Sequence, residues 1–148
     1  MALRRAGVTF KLHEYDHTAV RGWGLEAADA LGLDPTRVFK TIMCEADGRP
    51  VVAVVPVAAQ VSLKALAVAA GAKRADLMEP DKAQRRTGYV LGGISPFGQK
   101  QSSHTVVDDS ALEAATMYVS GGRRGLEIEI YPADLVKLLS ASVAAITA

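Results

Sequence analysis

A lysine within an otherwise apolar segment is the first residue of this sequence that could do chemistry. Residues 37–45 predict a strand, and one face of it carries Lys40 together with Val38, Ile42 and Cys44. Burial beside such neighbours would lower the pKa of the Lys40 ammonium and strengthen its attraction for an anion or a carbonyl oxygen. The pattern alone favours a plainer interpretation, in which the stem covers apolar surface and the ammonium reaches water.

A glycine-rich stretch, GYVLGGISPFG at 88–98, is the second candidate. The adjacent Gly92 and Gly93 allow the backbone to turn its N–H groups outward and a ligand to approach closely. Such amides can bind a phosphate or a developing oxyanion. The stretch has neither a Gly-Lys-Ser/Thr ending nor a GxGxxG pattern, so it is neither a Walker loop nor a Rossmann fingerprint. Glycine content alone leaves an ordinary turn equally open.

Basic residues bracket the glycine-rich segments, although the formal net charge of the chain is only +1. Any nucleic-acid contact of a nearly neutral chain must come from a local patch of this kind. For the segment SGGRRG at 120–125, a hairpin loop with solvated arginines is the plain alternative. The functional hypothesis is that five basic side chains meet phosphates. They are Arg85, Arg86, Lys100, Arg123 and Arg124.

The remaining polar residues carry weaker signals. The hydroxyl of Tyr15, at the end of a predicted strand, could face a ligand. Cys44 lies on the inward face of its strand, which predicts an inert core thiol rather than a nucleophile. His13 and His17 predict a polar strand end rather than a metal site. One cysteine and three histidines give no zinc pattern, and nothing resembles a Ser-His-Asp arrangement, so we expect neither metal nor cofactor.

The elements that must position these residues are those of one domain. Hydrophobic residues make up 49% of the 148 residues and charged residues 22%, which is enough apolar material for a core. The beginning of the sequence does not resemble a signal peptide, and no apolar run approaches the roughly 20 residues of a membrane span. We therefore expect a soluble, cytoplasmic protein whose single domain covers residues 1–148.

Hydrophobic periodicity and turn signals divide the chain into alternating hairpins and helices. This order predicts the α+β class, as a single compact domain with a mixed, barrel-like β-sheet surrounded by helices. A turn or helix is predicted at 109–115, and a short helix before Gly7. The predicted strands are 8–15, 37–45, 51–57, 105–107, 117–120 and 126–131, and the predicted helices are 25–31, 62–70, 80–86 and 132–139.

Taken together, the motifs resemble the YbaK/EbsC family of free-standing aminoacyl-tRNA editing proteins, which are similar to the editing domain inserted in bacterial prolyl-tRNA synthetases. The resemblance covers nearly the whole chain from about Val8, and its last two blocks look most like the branch that deacylates Cys-tRNA(Pro). The blocks are LHEYDH at 12–17, VFKT at 38–41, VAVVPVAAQVSLKALAVAAGAK at 52–73, AQRRTGYVLGGISPFGQK at 83–100 and MYVSGGRRGLEIEI at 117–130.

The resemblance implies roles for individual residues. Lys40 matches the essential lysine of the family, which holds the tRNA 3′ end and the ester region, and Gly93 matches the glycine whose backbone supports the reacting carbonyl. In the Cys-specific branch the thiol of the substrate attacks its own ester, which yields a cyclic thiolactone and free tRNA. The remaining substrate-binding positions implied are Tyr15, Thr41, Gly92, Ile94, Ser95, Pro96 and Ser120.

The expected partner is the acceptor end of misacylated tRNA(Pro), and prolyl-tRNA synthetase could supply the choice of tRNA. Three alternatives stay open at this point. The substrate could instead be Ala-tRNA(Pro) or Ser-tRNA, or the chain could be a non-catalytic tRNA-binding module of the same fold. Lys40 alone would also suit a Schiff-base enzyme, although nothing else in the sequence supports that chemistry.

Overall fold

The computed structural model of the chain describes residues 6–16 and 23–148. Eight strands and four α-helices lie in these residues, and a short 3-10 helix covers Asp109–Glu113. The strands are β1 (Phe10–Glu14), β2 (Phe39–Ala46), β3 (Arg49–Pro56), β4 (Ala75–Leu77), β5 (His104–Asp108), β6 (Met117–Ser120), β7 (Leu126–Ile130) and β8 (Ser142–Ala144). The helices are α1 (Trp23–Ala30), α2 (Leu63–Ala69), α3 (Pro80–Thr87) and α4 (Pro132–Leu139).

The larger sheet has five strands in the order β4-β2-β3-β5-β8. Its centre is the hairpin β2–β3, which pairs Lys40 with Val55 and turns at Asp47-Gly48. Both turn residues have positive φ, 49° and 80°, as the tight primed turns of two-residue hairpins require. β5 joins β3 in parallel and β8 joins β5 in parallel, so the sheet is mixed, as the sequence predicts.

The smaller sheet is antiparallel, with the order β1-β7-β6. A single bridge between Val38 and Tyr118 links it to the larger sheet. The predicted α+β class with a mixed sheet is therefore confirmed, while the barrel consists of two sheets that part at this bridge. On the same edge, β2 pairs with β4 only from Cys44 onward. Among the described residues, the stretch of β2 between Val38 and Cys44 is therefore unpaired on this edge, and this gap positions the site.

The centre of the larger sheet is buried on both faces, as predicted for the apolar run at 51–57. One core cluster fills the space between the two sheets and includes Phe39, Val54 and Ile128. A second cluster lies on the opposite face, where α2 places Leu66 against Val55 and its neighbours. Both faces of β2 are thereby fixed by apolar packing, which holds the strand that carries Lys40 rigidly in place.

The predicted boundaries agree with the structure within two residues for most elements. Ser62 caps α2 by accepting the N–H of Ala65 at 3.1 Å, and Asp108 caps the 3-10 helix that occupies the segment predicted as turn or helix. β4 and β8 were not predicted, because three residues are too few to show a period of two. The predicted helix before Gly7 falls outside the described residues except for Ala6. None of the described helices is long and apolar enough to cross a membrane.

Candidate functional site

A pocket of about 370 Å³ opens along the edge of β2, in the gap between the Val38–Tyr118 bridge and β4. Side chains from both faces of β2 reach it, because no described strand pairs with β2 on that side between Val38 and Cys44. The loop at 88–98 closes one wall, and the smaller sheet closes the other. Six lining residues were predicted from the sequence, namely Tyr15, Lys40, Thr41, Gly92, Ile94 and Ser120.

Lys40 is the cation of this pocket. Partial burial lowers the pKa of its ammonium, as its apolar strand neighbours suggested. Within residues 6–16 and 23–148 the ammonium forms no hydrogen bond and no ion pair. A desolvated cation without a partner interacts strongly with any anionic or carbonyl oxygen that enters, because little water screens the contact.

Glu127 is the residue that sequence reasoning missed. Its side chain lines the pocket and is only 5% exposed, and burial raises the pKa of its carboxyl to about 8. The sequence LEIEI predicts a strand whose glutamates face water. The register overrides that pattern, because it places Glu127 directly opposite Ser120 on β6, so that both residues line the same wall. Only this pairing, which no local signal reveals, would have indicated the site.

Three hydroxyl groups complete the polar lining. The backbone N–H of Tyr15 donates to the carbonyl of Gly125 at 2.9 Å, which anchors the end of β1, and burial raises the pKa of its phenol. The Oγ of Ser120 accepts the N–H of Gly122 at 3.2 Å. The Oγ1 of Thr41 is buried without a hydrogen-bond partner in the described part of the chain, so it is a polar group that a ligand could satisfy.

The loop at 88–98 is held in shape by its own hydrogen bonds. The hydroxyl of Tyr89 donates to the carbonyl of Phe97 at 2.6 Å, and the N–H of Leu91 donates to Oε1 of Gln84 on α3 at 2.9 Å. The hydroxyl of Ser95 accepts the N–H of Phe97 inside the loop. Ser95 and Pro96 are buried and are not among the residues that line the pocket, and their contact with substrate stays a prediction.

Gly93 permits a close approach between two loops. A Cβ at this position would lie 2.7 Å from Cα of Arg123, a distance at which the backbone must move. The N–H of Gly93 already donates to the carbonyl of Val90 at 3.0 Å. The neighbouring residues Gly92 and Ile94 do line the pocket, and their amides donate to no acceptor in the described residues. These two amides are therefore candidates to bind an oxyanion, and the role of Gly93 stays a prediction.

The predicted basic residues form two separate groups. Arg85, Arg86 and Lys100 line one open groove of about 470 Å³ beside α3, together with Lys82 and Gln101. We call this surface the basic groove. Its Arg86 guanidinium is held in place by Ser103, Gln101 and the carbonyl of Ser102, at 2.9 to 3.1 Å.

The second basic group lies on the loop at 120–125. Arg123 is exposed and lies 3.5 Å from Glu14, whereas Arg124 is largely buried and lies 3.9 Å from Glu26 on α1. The predicted contact of Arg123 with phosphate is compatible with this exposure. This ion pair joins the loop to α1, and the contact of Arg124 with phosphate stays a prediction.

The other candidate residues lie outside the pocket lining. Cys44 is fully buried and burial raises the pKa of its thiol to about 11, in agreement with an inert core residue. Nε2 of His13 lies 2.9 Å from Oε1 of Glu129, whereas His17 lies outside the described residues. In residues 6–16 and 23–148 there is no group of three or more His, Cys, Asp or Glu side chains that could hold a metal ion.

Comparison with known proteins assigns the family. The model of the aminoacyl-tRNA editing domain matches residues 17–138, which is most of the chain. The chain belongs to this family of aminoacyl-tRNA editing domains. A domain that edits aminoacyl-tRNA removes the attached amino acid, so this chain is an aminoacyl-tRNA deacylase.

Relatives of this editing domain agree in sequence and in fold. It is 33% identical over 145 residues to a protein of Enterococcus faecalis named as a candidate Cys-tRNA(Pro)/Cys-tRNA(Cys) deacylase, EbsC, and the match covers 95% of this chain and 86% of that one. The solved structure of the hypothetical protein APE2540 superposes with a TM-score of 0.88 at 25% identity, over 99% and 96% of the two chains. A candidate trans-editing enzyme for prolyl-tRNA synthetase shares the fold, with a TM-score of 0.84 at 20% identity over 99% and 96% of the chains.

Proposed function

We propose that this editing domain removes cysteine from Cys-tRNA(Pro), and that the pocket beside β2 holds the aminoacyl ester. One observation carries the proposal: Lys40, whose ammonium has no partner in the described residues, lines the same pocket as Gly92 and Ile94, whose amides donate to no acceptor there. A carbonyl oxygen that develops negative charge requires such donors. The relative named for Cys-tRNA deacylation supports the choice of amino acid.

The proposed reaction takes its nucleophile from the substrate. The sulfur of the cysteinyl group forms a bond to its own carbonyl carbon, and the ester C–O bond breaks. The thiol proton passes to the departing ribose oxygen, so the products are a cyclic thiolactone and free tRNA. Lys40 and the loop amides stabilise the oxyanion, a contribution worth about 3 kcal/mol per donor in comparable sites. Cys44 takes no part, because it is buried in the core away from the pocket lining.

The tRNA is proposed to approach over the rim of the pocket. Leu25 on α1 and Leu91 on the loop are partly exposed and line the pocket, so they offer apolar surface to the terminal adenosine. Phosphates of the acceptor end are proposed to contact the basic groove through Arg85, Arg86 and Lys100, and the second loop through Arg123 and Arg124. Such contacts fix position and raise affinity without reading sequence.

Recognition of tRNA(Pro) is proposed to depend on prolyl-tRNA synthetase. A chain of 148 residues with a formal net charge of +1 has little surface with which to read an anticodon. A synthetase that holds the tRNA body would supply this selectivity. The structural relative described as a trans-editing enzyme for prolyl-tRNA synthetase motivates this choice of partner.

The test is a deacylation assay with four substrates, each with and without prolyl-tRNA synthetase. Cys-tRNA(Pro) and Cys-tRNA(Cys) compare the tRNAs, whereas Ser-tRNA(Pro) and Ala-tRNA(Pro) compare the amino acids. We expect rapid release of cysteine, at least tenfold slower release of serine and alanine, and preference for tRNA(Pro) only with the synthetase. Equal rates for cysteine and serine would contradict attack by the substrate thiol. Binding of tRNA without turnover of any substrate would contradict deacylation.

A further inference from the structure

We propose that Glu127 binds the α-ammonium group of the substrate and thereby selects free aminoacyl esters over N-acylated ones. The inference rests on the proposed function, since it names the second anchor of the ligand in the same pocket. It concerns a residue to which the family resemblance gave no role. Its basis is the placement of one carboxyl group and one ammonium group on different walls of a small cavity.

The two charged groups of the pocket come from different sheets. Lys40 stands on β2 of the larger sheet, and Glu127 stands on β7 of the smaller one. They form no ion pair with each other, and burial alone perturbs the pKa of each. An ammonium and a carboxyl that line one pocket without pairing can each bind a different group of one ligand. An aminoacyl ester does so, since it has an acceptor oxygen on one carbon and an ammonium on the next.

The carboxyl of Glu127 lacks a partner of its own. The residue is only 5% exposed, and no hydrogen bond or ion pair joins its carboxyl to the described residues. Burying an ionisable group without a partner is costly, and the free protein avoids that cost by keeping the carboxyl protonated. A bound ammonium would supply the missing partner, so the substrate gains an interaction that water does not provide.

The neighbouring charges leave this role to Glu127. Tyr15 at the end of β1, Glu26 on α1 and Arg124 on the loop at 120–125 lie close enough to Glu127 to share its electrostatic environment. His13 lies directly opposite Glu127 on β1, and its Nε2 lies 2.9 Å from Oε1 of Glu129. Glu26 and Arg124 lie 3.9 Å apart and compensate each other. Tyr15 is a neutral phenol, because burial raises its pKa above the usual value of 10. The carboxyl that can give up its proton to pair with a cationic ligand here is therefore that of Glu127.

Glu129, the next glutamate on the same strand, has partners within the protein and therefore a structural role. Oε2 of Glu129 accepts the hydroxyl of Thr116 at 2.6 Å, and its Oε1 lies 2.9 Å from Nε2 of His13. These contacts hold the pKa of Glu129 below its usual value. Glu129 does not line the pocket. It is thus a matched control for Glu127, with the same side chain two residues along the same face.

The kinetic test compares Cys-tRNA(Pro) with N-acetyl-Cys-tRNA(Pro), in which the α-nitrogen is a neutral amide. We expect the wild-type protein to prefer the free amine, and Glu127→Gln to reduce the ratio of the two kcat/KM values at least tenfold. The two esters differ in intrinsic reactivity, but this difference is the same for both proteins. It therefore cancels when the kcat/KM ratio of the variant is compared with that of the wild-type protein. Glu127→Asp should restore part of the ratio, and Glu129→Gln should leave it unchanged.

The binding test measures protons. The probe is 3′-cysteinylamino-3′-deoxyadenosine, a non-hydrolysable amide, titrated at pH 6 in buffers of different ionisation enthalpy. We expect wild-type protein to release close to one proton per ligand bound, because Glu127 gives up its proton when an ammonium arrives. Glu127→Gln should release none, and the N-acetylated probe should release none from either protein.

The outcomes separate this inference from the proposed function. In one outcome, the wild-type protein hydrolyses both esters while Glu127→Gln leaves the ratio of the two rates unchanged. That result would support the deacylase activity and contradict the role of Glu127. The absence of proton release on binding of the free-amine probe overturns the inference as well. If no cysteinyl ester is hydrolysed by any protein, the proposed function itself fails, whatever the probe shows.

Discussion

The pocket beside β2 and the basic groove beside α3 differ in how their ionisable side chains are solvated and paired. The pocket holds Lys40 and Glu127, both desolvated and neither paired within the described residues. The groove holds four cationic side chains in an open surface, with Arg86 braced by neutral partners and Lys82 paired with Glu45 at 2.6 Å. The pocket groups have no partner among the described residues and can therefore bind groups of one small ligand. The exposed cations of the groove present positive charge over a larger surface, as binding of a polyanion requires.

This difference indicates which step each region controls. A desolvated charge acts over a short range and strongly, so pocket residues should govern the chemical step. Solvated charges are screened by salt, so groove residues should govern affinity and its salt dependence. Four variants test this division, in order of the free energy expected for each.

The largest effect is expected on stability, from Glu127→Gln. Burial raises the pKa of Glu127 from 4.5 to about 8, so the unfolded chain loses this proton at lower pH than the folded chain. Wild-type stability therefore falls as pH rises from about 4.5 through 8. The variant should escape this loss and gain on the order of 4 kcal/mol over wild type at pH 8, because each unit of pKa difference is worth about 1.4 kcal/mol. Urea unfolding at several pH values measures the difference.

Glu129→Gln gives the opposite sign for comparison. The hydroxyl of Thr116, aided by His13, lowers the pKa of Glu129, so its contribution is present at neutral pH and lost on acidification. This variant should be less stable than wild type near pH 7 and equal to it in acid. If the two variants instead share one pH profile, the carboxyl of Glu127 is solvated and the contrast between the pocket and the groove breaks down.

The second effect concerns catalysis. Lys40→Met keeps the apolar stem and removes the ammonium, so we expect kcat for Cys-tRNA(Pro) to fall about 100-fold with little change in KM. Single-turnover deacylation measures the chemical step directly. Lys64→Met changes an exposed lysine on α2 and should leave the rate unaltered. A fall in affinity alone for Lys40→Met would assign this lysine to tRNA binding instead.

The third effect is a combined loss of stability and activity, expected from Gly93→Ala. The added Cβ would lie 2.7 Å from Cα of Arg123, so the loops must separate, at a cost of about 1–3 kcal/mol in stability and a loss of deacylation. Gly71→Ala is the control, since its φ of +70° strains an alanine in open space away from the pocket. It should lower stability by about 1 kcal/mol while activity is retained. Equal activity losses in the two variants would show that stability alone limits the assay.

The smallest effect is expected from the groove. Arg85→Gln combined with Lys100→Gln should raise KM for Cys-tRNA(Pro) by roughly threefold to tenfold and reduce its dependence on salt, with kcat unchanged. Cysteinyl-adenosine, which lacks the acceptor-stem phosphates, should be hydrolysed equally by the variant and the wild-type protein. Lys137→Gln, outside the groove, serves as the matched control. A salt dependence that is identical in all three proteins would remove the groove from the tRNA path.

Sequence reasoning located residues on both walls of the pocket and missed Glu127, for a physical reason. Lys40 and the glycines of 88–98 are visible because strand period and glycine content are local properties. The burial of Glu127 is not local, since it depends on the register of β7 against β6 and on the α1 packing that surrounds it. The alternation LEIEI is the same whether its glutamates face water or a pocket.

The glycine loop shows a related limit. Its composition predicted available amides, and the amides of Gly92 and Ile94, two residues of the pocket lining, donate to no acceptor in the described residues. Which amides remain available depends on hydrogen bonds such as that from Gly93 to Val90, which composition does not specify. Composition also does not show that the buried hydroxyl of Ser95 accepts the N–H of Phe97 within the loop.

The contact between the two glycine loops has a consequence for recombining this domain with its relatives. Gly93 meets the backbone of Arg123, and Gly122 meets the ring of Tyr89, so each loop is shaped to fit the other. A chimera whose crossover lies between residues 98 and 120 takes the two loops from different parents. Such chimeras should fail more often than those that inherit 88–125 from one parent, even when both parents are active editing domains.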